Sequence, residues 1–322
     1  CSRAGLLRCH GMRRATVPDE QWLADIGPVD GIELSVWDMS IPLTETSWGA
    51  EVGYAVHPYL TPPNRVANAA GGAPGVTVQL LTAGYDAHLA HLPAGVSMCN
   101  AAGVHDTATA ELAVTLLLAS VRGIPEFVAA QARGEWLPIR IWPSLADSRV
   151  LILGYGRIGQ AIARRLAPFE VALTAVATTR RPGDEWVGEV WGVADLPTLL
   201  PNTDVVIAIL PLTDHTQGLI DAEFLAALPD GATLINVARG PVVDTDALLA
   251  ELNSGRLRAA ADVTDPEPLP ADHPLWSAPN MLISPHVGGA TDAFRPRAVR
   301  LIREQLRRYA AGQEFVHVVA SG

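Results

Sequence analysis

Through the middle of the chain, short apolar runs alternate with segments whose apolar residues recur at three- and four-residue steps. This is the pattern of strands alternating with helices. The runs 149–153, 171–177, 204–210, 232–237, 259–263 and 281–284 predict strands. Helices are predicted at 158–166 and between the third and fourth strands, ending near Leu228. Such alternation implies a parallel, doubly wound α/β sheet. The N-terminal hundred residues read as a weaker α/β pattern, with strands expected at 52–56 and 76–80 between Pro- and Gly-rich loops. Two long helices flank the central block. One, over 107–122, places Leu112, Leu116, Leu117 and Val121 on one side; the other, over 292–311, does so with Phe294, Ala298, Leu301, Ile302, Leu306 and Tyr309.

The chain has 322 residues, 49% of them hydrophobic, enough for two domains with their own cores. No apolar run approaches the length of a membrane helix. The first sixteen residues carry four arginines and no apolar stretch of the signal-peptide kind, and Met12 suits a natural start, which makes 1–11 an appendage. The expected location is cytoplasmic. A net charge of −11 argues against a nucleic-acid or anionic-membrane surface. Cys1, Cys9 and Cys99 are too few for a disulfide framework or a zinc site, and no metal is expected. All 23 basic residues are arginine, which excludes a Schiff-base lysine and the usual P-loop lysine. An anion must be held by arginine, backbone N–H groups or helix N-termini.

The strongest local signal is a buried strand running into Gly154, Gly156 and Gly159 in Gly-x-Gly-x-x-Gly spacing, followed by a helix. Gly154 permits a tight turn, Gly156 lets a pyrophosphate approach the backbone, and Gly159 allows close helix–strand packing. Arg157 and Ile158 open the helix, whose N-terminal N–H groups suit phosphate. About twenty residues on, where an NAD-binding chain carries a carboxylate for the ribose, stand Thr179, Arg180 and Arg181. They suit the 2′-phosphate of NADP, with NAD the alternative. Three further segments place Arg239, Glu267 and His286 just past strand ends, where ligands gather in doubly wound sheets.

Together these segments resemble the D-isomer-specific 2-hydroxyacid dehydrogenase family, glyoxylate and hydroxypyruvate reductases included. The resemblance runs from Gln79 to Gly289, through Ala83-Gly84-Tyr85-Asp86, Asn100, Gly103, Glu111, Gly134, Trp136, Leu210, Pro211, Thr213, Thr216, Arg239-Gly240 and Pro285-His286. The first 75 residues match poorly, and Ala102 stands where the family often has proline. The resemblance implies a Rossmann domain, 102–289, inserted in a smaller flavodoxin-like α/β substrate domain, 1–101 with 290–322. It also implies a cleft that closes on substrate, and a homodimer. By the same resemblance Arg239 clamps the substrate carboxylate and carbonyl, and His286 exchanges a proton with the carbonyl oxygen. Glu267 orients the imidazole. Backbone N–H groups of Ala83 and Gly84 bind the substrate carboxylate, and Tyr59 lines its side-chain pocket. Leu210, Pro211, Thr216, Val237, Ala238, Asp262 and Gly288 meet the cofactor. The expected activity is hydride transfer between NADP and C2 of a small 2-keto or D-2-hydroxy acid. Two alternatives stand beside it: a dinucleotide-sensing protein like the C-terminal-binding-protein corepressors, and an NAD-dependent enzyme like phosphoglycerate dehydrogenase.

Overall fold

The computed structural model describes residues 12–322. The appendage read into 1–11, with Cys1 and Cys9, lies outside the described residues. The chain divides into two compact units, Cys1–Val104 with Asp292–Gly322, and His105–Thr291. These boundaries fall a few residues beyond 101 and 289.

The first unit is built on a six-stranded sheet ordered Val318–Ser321, Ser97–Cys99, Thr77–Gln79, Val52–Val56, Arg13–Val17, Ile32–Val36. The last five are parallel, in the flavodoxin-like order, and the C-terminal strand pairs antiparallel at the edge. Val52–Val56 is buried at every position, as a central parallel strand must be. The helix Phe294–Ala311 returns to this unit and buries Ala298, Ile302 and Leu306 against Ala15, Val17, Tyr54 and Val56. Gln305 is fully buried on the same helix. Its amide nitrogen donates to Gln79 Oε1 and to the Val316 carbonyl, tying the C-terminal tail to the sheet without an unpaired polar group.

The second unit holds an eight-stranded sheet ordered Met281–Ile283, Arg258–Ala261, Thr233–Asn236, Val205–Ala208, Arg149–Leu153, Ala172–Ala177, Glu189–Gly192, Arg181–Pro182. All pairings are parallel except the last, a two-residue hairpin edge. This is the six-stranded dinucleotide-binding order, extended by one strand at each edge, with its reversal between Arg149–Leu153 and Val205–Ala208. The predicted strand over 204–210 stops at Ala208. The reason is local: a Cβ on Gly154 would stand 2.1 Å from the Ile209 carbonyl oxygen, so the two loops cross there backbone to backbone. The helix Asp106–Val121 buries far more than one stripe, from Ala108 to Val121, and packs against both the sheet and the helix Arg157–Leu166. Among the described residues no single helix is long and apolar enough to cross a membrane.

Candidate active site

The glycine loop has the shape a dinucleotide needs. Gly154 has φ +109°, which an L side chain rarely adopts, and a Cβ on Gly159 would fall 2.2 Å from the Gly154 carbonyl oxygen. In front of Gly156, by contrast, nothing lies within 4 Å of a Cβ, so the backbone there is open to an approaching group. Gly156 caps the ten-residue helix Arg157–Leu166 without a side-chain bond, leaving the first-turn N–H groups for a phosphate. The residues fit the pyrophosphate of a nicotinamide dinucleotide. Beside them, Leu210 is buried, and Thr216 Oγ1 accepts from Thr213 N–H and donates to the Pro211 carbonyl, which fixes the loop after Val205–Ala208. Arg157 adds its backbone to this site, but its guanidinium pairs with Asp106 at 2.9 Å.

Arg239, Glu267 and His286 follow three strands that are neighbours in the sheet, Thr233–Asn236, Arg258–Ala261 and Met281–Ile283. Because these strands are parallel, all three loops leave the same edge. Val237 and Ala238 are buried. Asn236 holds the turn behind them, accepting from Ala238 N–H at 3.0 Å and donating to the Arg239 carbonyl at 3.1 Å. The Arg239 guanidinium is half-buried and donates to the Ala238 carbonyl at 2.7 Å. The Arg239 and Glu267 loops are interlocked, since a Cβ on Gly240 would stand 1.9 Å from the Thr264 carbonyl oxygen.

His286 Nδ1 is hydrogen-bonded to Glu267 Oε1, and both side chains are partly open to solvent. That bond commits Nδ1 and leaves Nε2 as the outward nitrogen. The backbone of His286 is left-handed, φ +53°, costing about 1–2 kcal/mol for a residue with a Cβ. Asp262 holds it there. Its carboxylate accepts from Ser284 Oγ at 2.6 Å, Val287 N–H at 2.9 Å and Gly288 N–H at 2.8 Å, and its carbonyl accepts from His286 N–H at 2.8 Å. Asp262 was expected to meet the cofactor; in the structure its oxygens are largely occupied in shaping the histidine loop. Ser284 and Asn236 escaped sequence reading, although each directly flanks a recognised segment.

At the end of Ala172–Ala177 the expectation of two open arginines is corrected. Arg180 forms a two-point pair with Glu189, Nε to Oε1 at 2.6 Å and Nη2 to Oε2 at 2.8 Å, and lies over the Trp191 ring at 4.2 Å. A carboxylate is therefore present, supplied across the hairpin rather than by the strand end. Arg181 turns the other way and donates to the Tyr155 carbonyl at 2.6 Å. Thr179 is exposed.

In the first unit, Ala83 and Gly84 form a turn whose carbonyls are tied down, Ala83 to Asn100 Nδ2 at 2.8 Å and Gly84 to Thr82 Oγ1 at 2.7 Å. Their N–H groups donate to nothing among the described residues. Two adjacent free N–H groups on a pinned turn make a carboxylate-sized nest. Tyr59 stacks on Phe294 with ring centroids 4.2 Å apart. Next to it, His57 is buried, its Nδ1 2.9 Å from the Pro58 carbonyl and its ring edge-on to His88. Burial pushes the His57 imidazole down to about 4, with His88 and Arg65 acting in the same direction.

A nucleotide-binding sheet with an arginine and a glutamate-braced histidine at its carboxyl edge defines a dehydrogenase. The family model for the D-isomer specific 2-hydroxyacid dehydrogenase NAD-binding domain matches residues 114–288. The chain is 31% identical to a D-isomer specific 2-hydroxyacid dehydrogenase from Xanthobacter autotrophicus Py2, solved with NADPH and MES. That match has a TM-score of 0.78 and covers 96% of this chain and 98% of that one. It is 42% identical over 193 residues to human glyoxylate reductase/hydroxypyruvate reductase, a stretch spanning 58% of each chain. An NADPH-dependent glyoxylate/hydroxypyruvate reductase from Sinorhizobium meliloti, solved with NADP and sulfate, is 26% identical. Its TM-score is 0.78, over 95% of this chain and 98% of that one. The chain belongs to the D-isomer-specific 2-hydroxyacid dehydrogenase family, with an NAD(P)-binding Rossmann domain.

Proposed function

We propose that this protein reduces a small 2-oxo acid of the glyoxylate or hydroxypyruvate kind to the 2-hydroxy acid, of D configuration where C2 becomes a stereocentre, with NADPH as the preferred cofactor. The observation that carries the reading is the Glu267-braced His286, held with Arg239 at one edge of the sheet that bears the glycine loop. When bound, a nicotinamide supplies the hydride that C2 receives. Arg239 orients the keto acid through its carboxylate and carbonyl oxygens and polarises the C2–O bond. His286 delivers a proton from Nε2 to that oxygen, so hydride plus proton converts the carbonyl to the alcohol. Glu267 keeps Nδ1 protonated and the ring aimed. The N–H groups of Ala83 and Gly84 take the substrate carboxylate. NADPH preference is supported by Arg180, whose Nη1 makes no hydrogen bond among the described residues while Glu189 holds the other edge, and by the cofactors solved in the Xanthobacter and Sinorhizobium relatives.

The test is cofactor oxidation by the purified protein with glyoxylate, hydroxypyruvate and pyruvate, each with NADPH and NADH. Turnover fastest with NADPH and one of the first two is expected. Tight dinucleotide binding with no turnover on any keto acid would point instead to a sensing protein.

A homodimer is part of the same reading. Trp136, Ile139 and Ile141 are 98%, 101% and 100% exposed within one short loop, more apolar surface than a monomer usually leaves in water. We assign this loop to the contact with a second copy. Light scattering should give a dimer, and Trp136→Ser with Ile139→Asp should give a monomer.

A further inference from the structure

The glycine loop carries a residue that the nucleotide fingerprint does not ask for. Tyr155, between Gly154 and Gly156, is 2% exposed, and its hydroxyl donates to Asp184 at 2.9 Å. Asp184 sits at the tip of the hairpin that follows Arg180. There its Oδ1 also accepts from Trp186 N–H at 2.9 Å and Val187 N–H at 3.2 Å. Arg181, from the same hairpin, reaches back to the Tyr155 carbonyl at 2.6 Å. The hairpin is itself stiff: a Cβ on Gly183 would stand 1.8 Å from the Val187 carbonyl oxygen, so its two arms are in backbone contact. Tyr155 is thus gripped at both its hydroxyl and its carbonyl by the element that bears Arg180, Glu189 and Trp191.

We propose that Tyr155, Asp184 and Arg181 form a latch that sets the spacing between the phosphate-binding glycine loop and Arg180, and thereby sets discrimination between NADP and NAD. This rests on the NADP reading above and adds the residues that position its key arginine. The physical reason is simple. The 2′-phosphate and the pyrophosphate belong to one molecule, so NADP gains from Arg180 only if both anion sites stand at the separation the cofactor dictates. A cofactor without the 2′-phosphate uses the glycine loop alone and is indifferent to where the hairpin lies. The latch residues touch no reacting atom; they are positioning residues. Arg181 in particular serves as a strut and leaves the phosphate to Arg180, which Glu189 and Trp191 fix at one edge and one face.

The test uses full-length protein and direct binding. Adenosine 2′,5′-bisphosphate and 5′-AMP are titrated calorimetrically into the unmodified protein, Tyr155→Phe and Arg181→Met, alongside KM and kcat with NADPH and NADH. Losing the grip of one ordinary hydrogen bond, ~1 kcal/mol, converts to about a fivefold loss. Each variant should therefore bind the bisphosphate about fivefold more weakly and raise KM for NADPH similarly, with 5′-AMP affinity, KM for NADH and both kcat values unchanged. Arg181→Met keeps the side-chain stem and serves if the buried tyrosine change impairs folding. Variants that keep the full bisphosphate preference, or that lose both ligands equally, would overturn the latch while leaving NADP preference intact. An unmodified protein that binds 5′-AMP as tightly as the bisphosphate would overturn the preference itself and the latch with it.

Discussion

Lowering the pH from 7 to 5 should destabilise the first unit mainly through the side chain of His57. The imidazole is 3% exposed, and burial, reinforced by His88 and Arg65, pushes it from 6.5 to about 4. The folded form therefore binds its proton later than the unfolded chain does. Between pH 6.5 and 4 the unfolded state holds the extra proton, so stability falls as pH falls, beginning near 6.5 and complete near 4. For those two values the native state loses about 2 kcal/mol between pH 7 and 5; a folded value one unit higher still leaves more than about 1.5 kcal/mol. The carboxylates held low by partners, such as Asp25 and Asp38, begin to protonate only below this window. His57→Asn isolates the term, because its amide can still donate to the Pro58 carbonyl but does not titrate. Calorimetric unfolding of both proteins at pH 7 and 5 gives the comparison. The variant should be less stable at pH 7, where it leaves a small cavity, yet lose much less on acidification. A residual slope is expected from His88, which burial shifts in the same direction. A variant that loses as much stability as the parent between the two pH values would refute the account.

Four further outcomes follow from the site. His286→Ala should lower turnover at least about a hundredfold, the usual share of a general acid–base group, while NADPH titration shows unchanged binding. Glu267→Gln should keep the ring near its place and cost about tenfold in kcat with little change in KM, consistent with the loss of a charge-assisted bond; an unaltered kcat would mean that the Glu267 carboxylate does not support the protonated imidazole. Gly240→Ala drives a Cβ against the Thr264 carbonyl, and backbone cannot swing aside. The Arg239 and Glu267 loops must part, so kcat/KM should collapse more than cofactor affinity does, measured by paired kinetics and titration. Finally, 3-phosphohydroxypyruvate should be used at least about tenfold less efficiently than hydroxypyruvate. Arg65 is already bonded to the Asp38 carbonyl at 3.0 Å, and beside it His57 is neutral at pH 7, so a dianion finds few donors to replace its water. Comparable efficiency on the two substrates would sink that claim.

Much of the second unit was legible because its signals are local. The glycine spacing, the arginine after Thr233–Asn236 and the histidine after Met281–Ile283 each state their chemistry within a few residues. The first unit was harder to read. Arg13–Val17 opens on two arginines, Ser97–Cys99 is three residues long, and Val318–Ser321 completes its sheet from the far end of the chain. None has a period long enough to separate strand from loop, and their pairing is decided by partners distant in sequence. The same distinction explains the arginines. That Arg180 stands where an acid was expected is visible in the sequence. That Glu189 answers it depends on the hairpin register, in which Arg181 faces Val190 and Pro182 faces Glu189.

How a strongly acidic, lysine-free chain binds anions follows from where its arginines are spent. Several are already committed: Arg149 to Asp204, Arg157 to Asp106, Arg180 to Glu189 and Arg256 to Glu251. With a net charge of −11 there is no long-range field to draw a carboxylate or phosphate in. In the proposed reading recognition falls to groups that act at contact: the Arg239 guanidinium, the Nη1 edge of Arg180, and backbone donors. The free N–H pair at Ala83 and Gly84 and the uncapped first turn at Gly156 are of this kind. Pre-positioning then matters more than charge count. A backbone donor holds its direction only as well as the turn behind it is pinned, which at Ala83 and Gly84 is the work of Asn100 and Thr82.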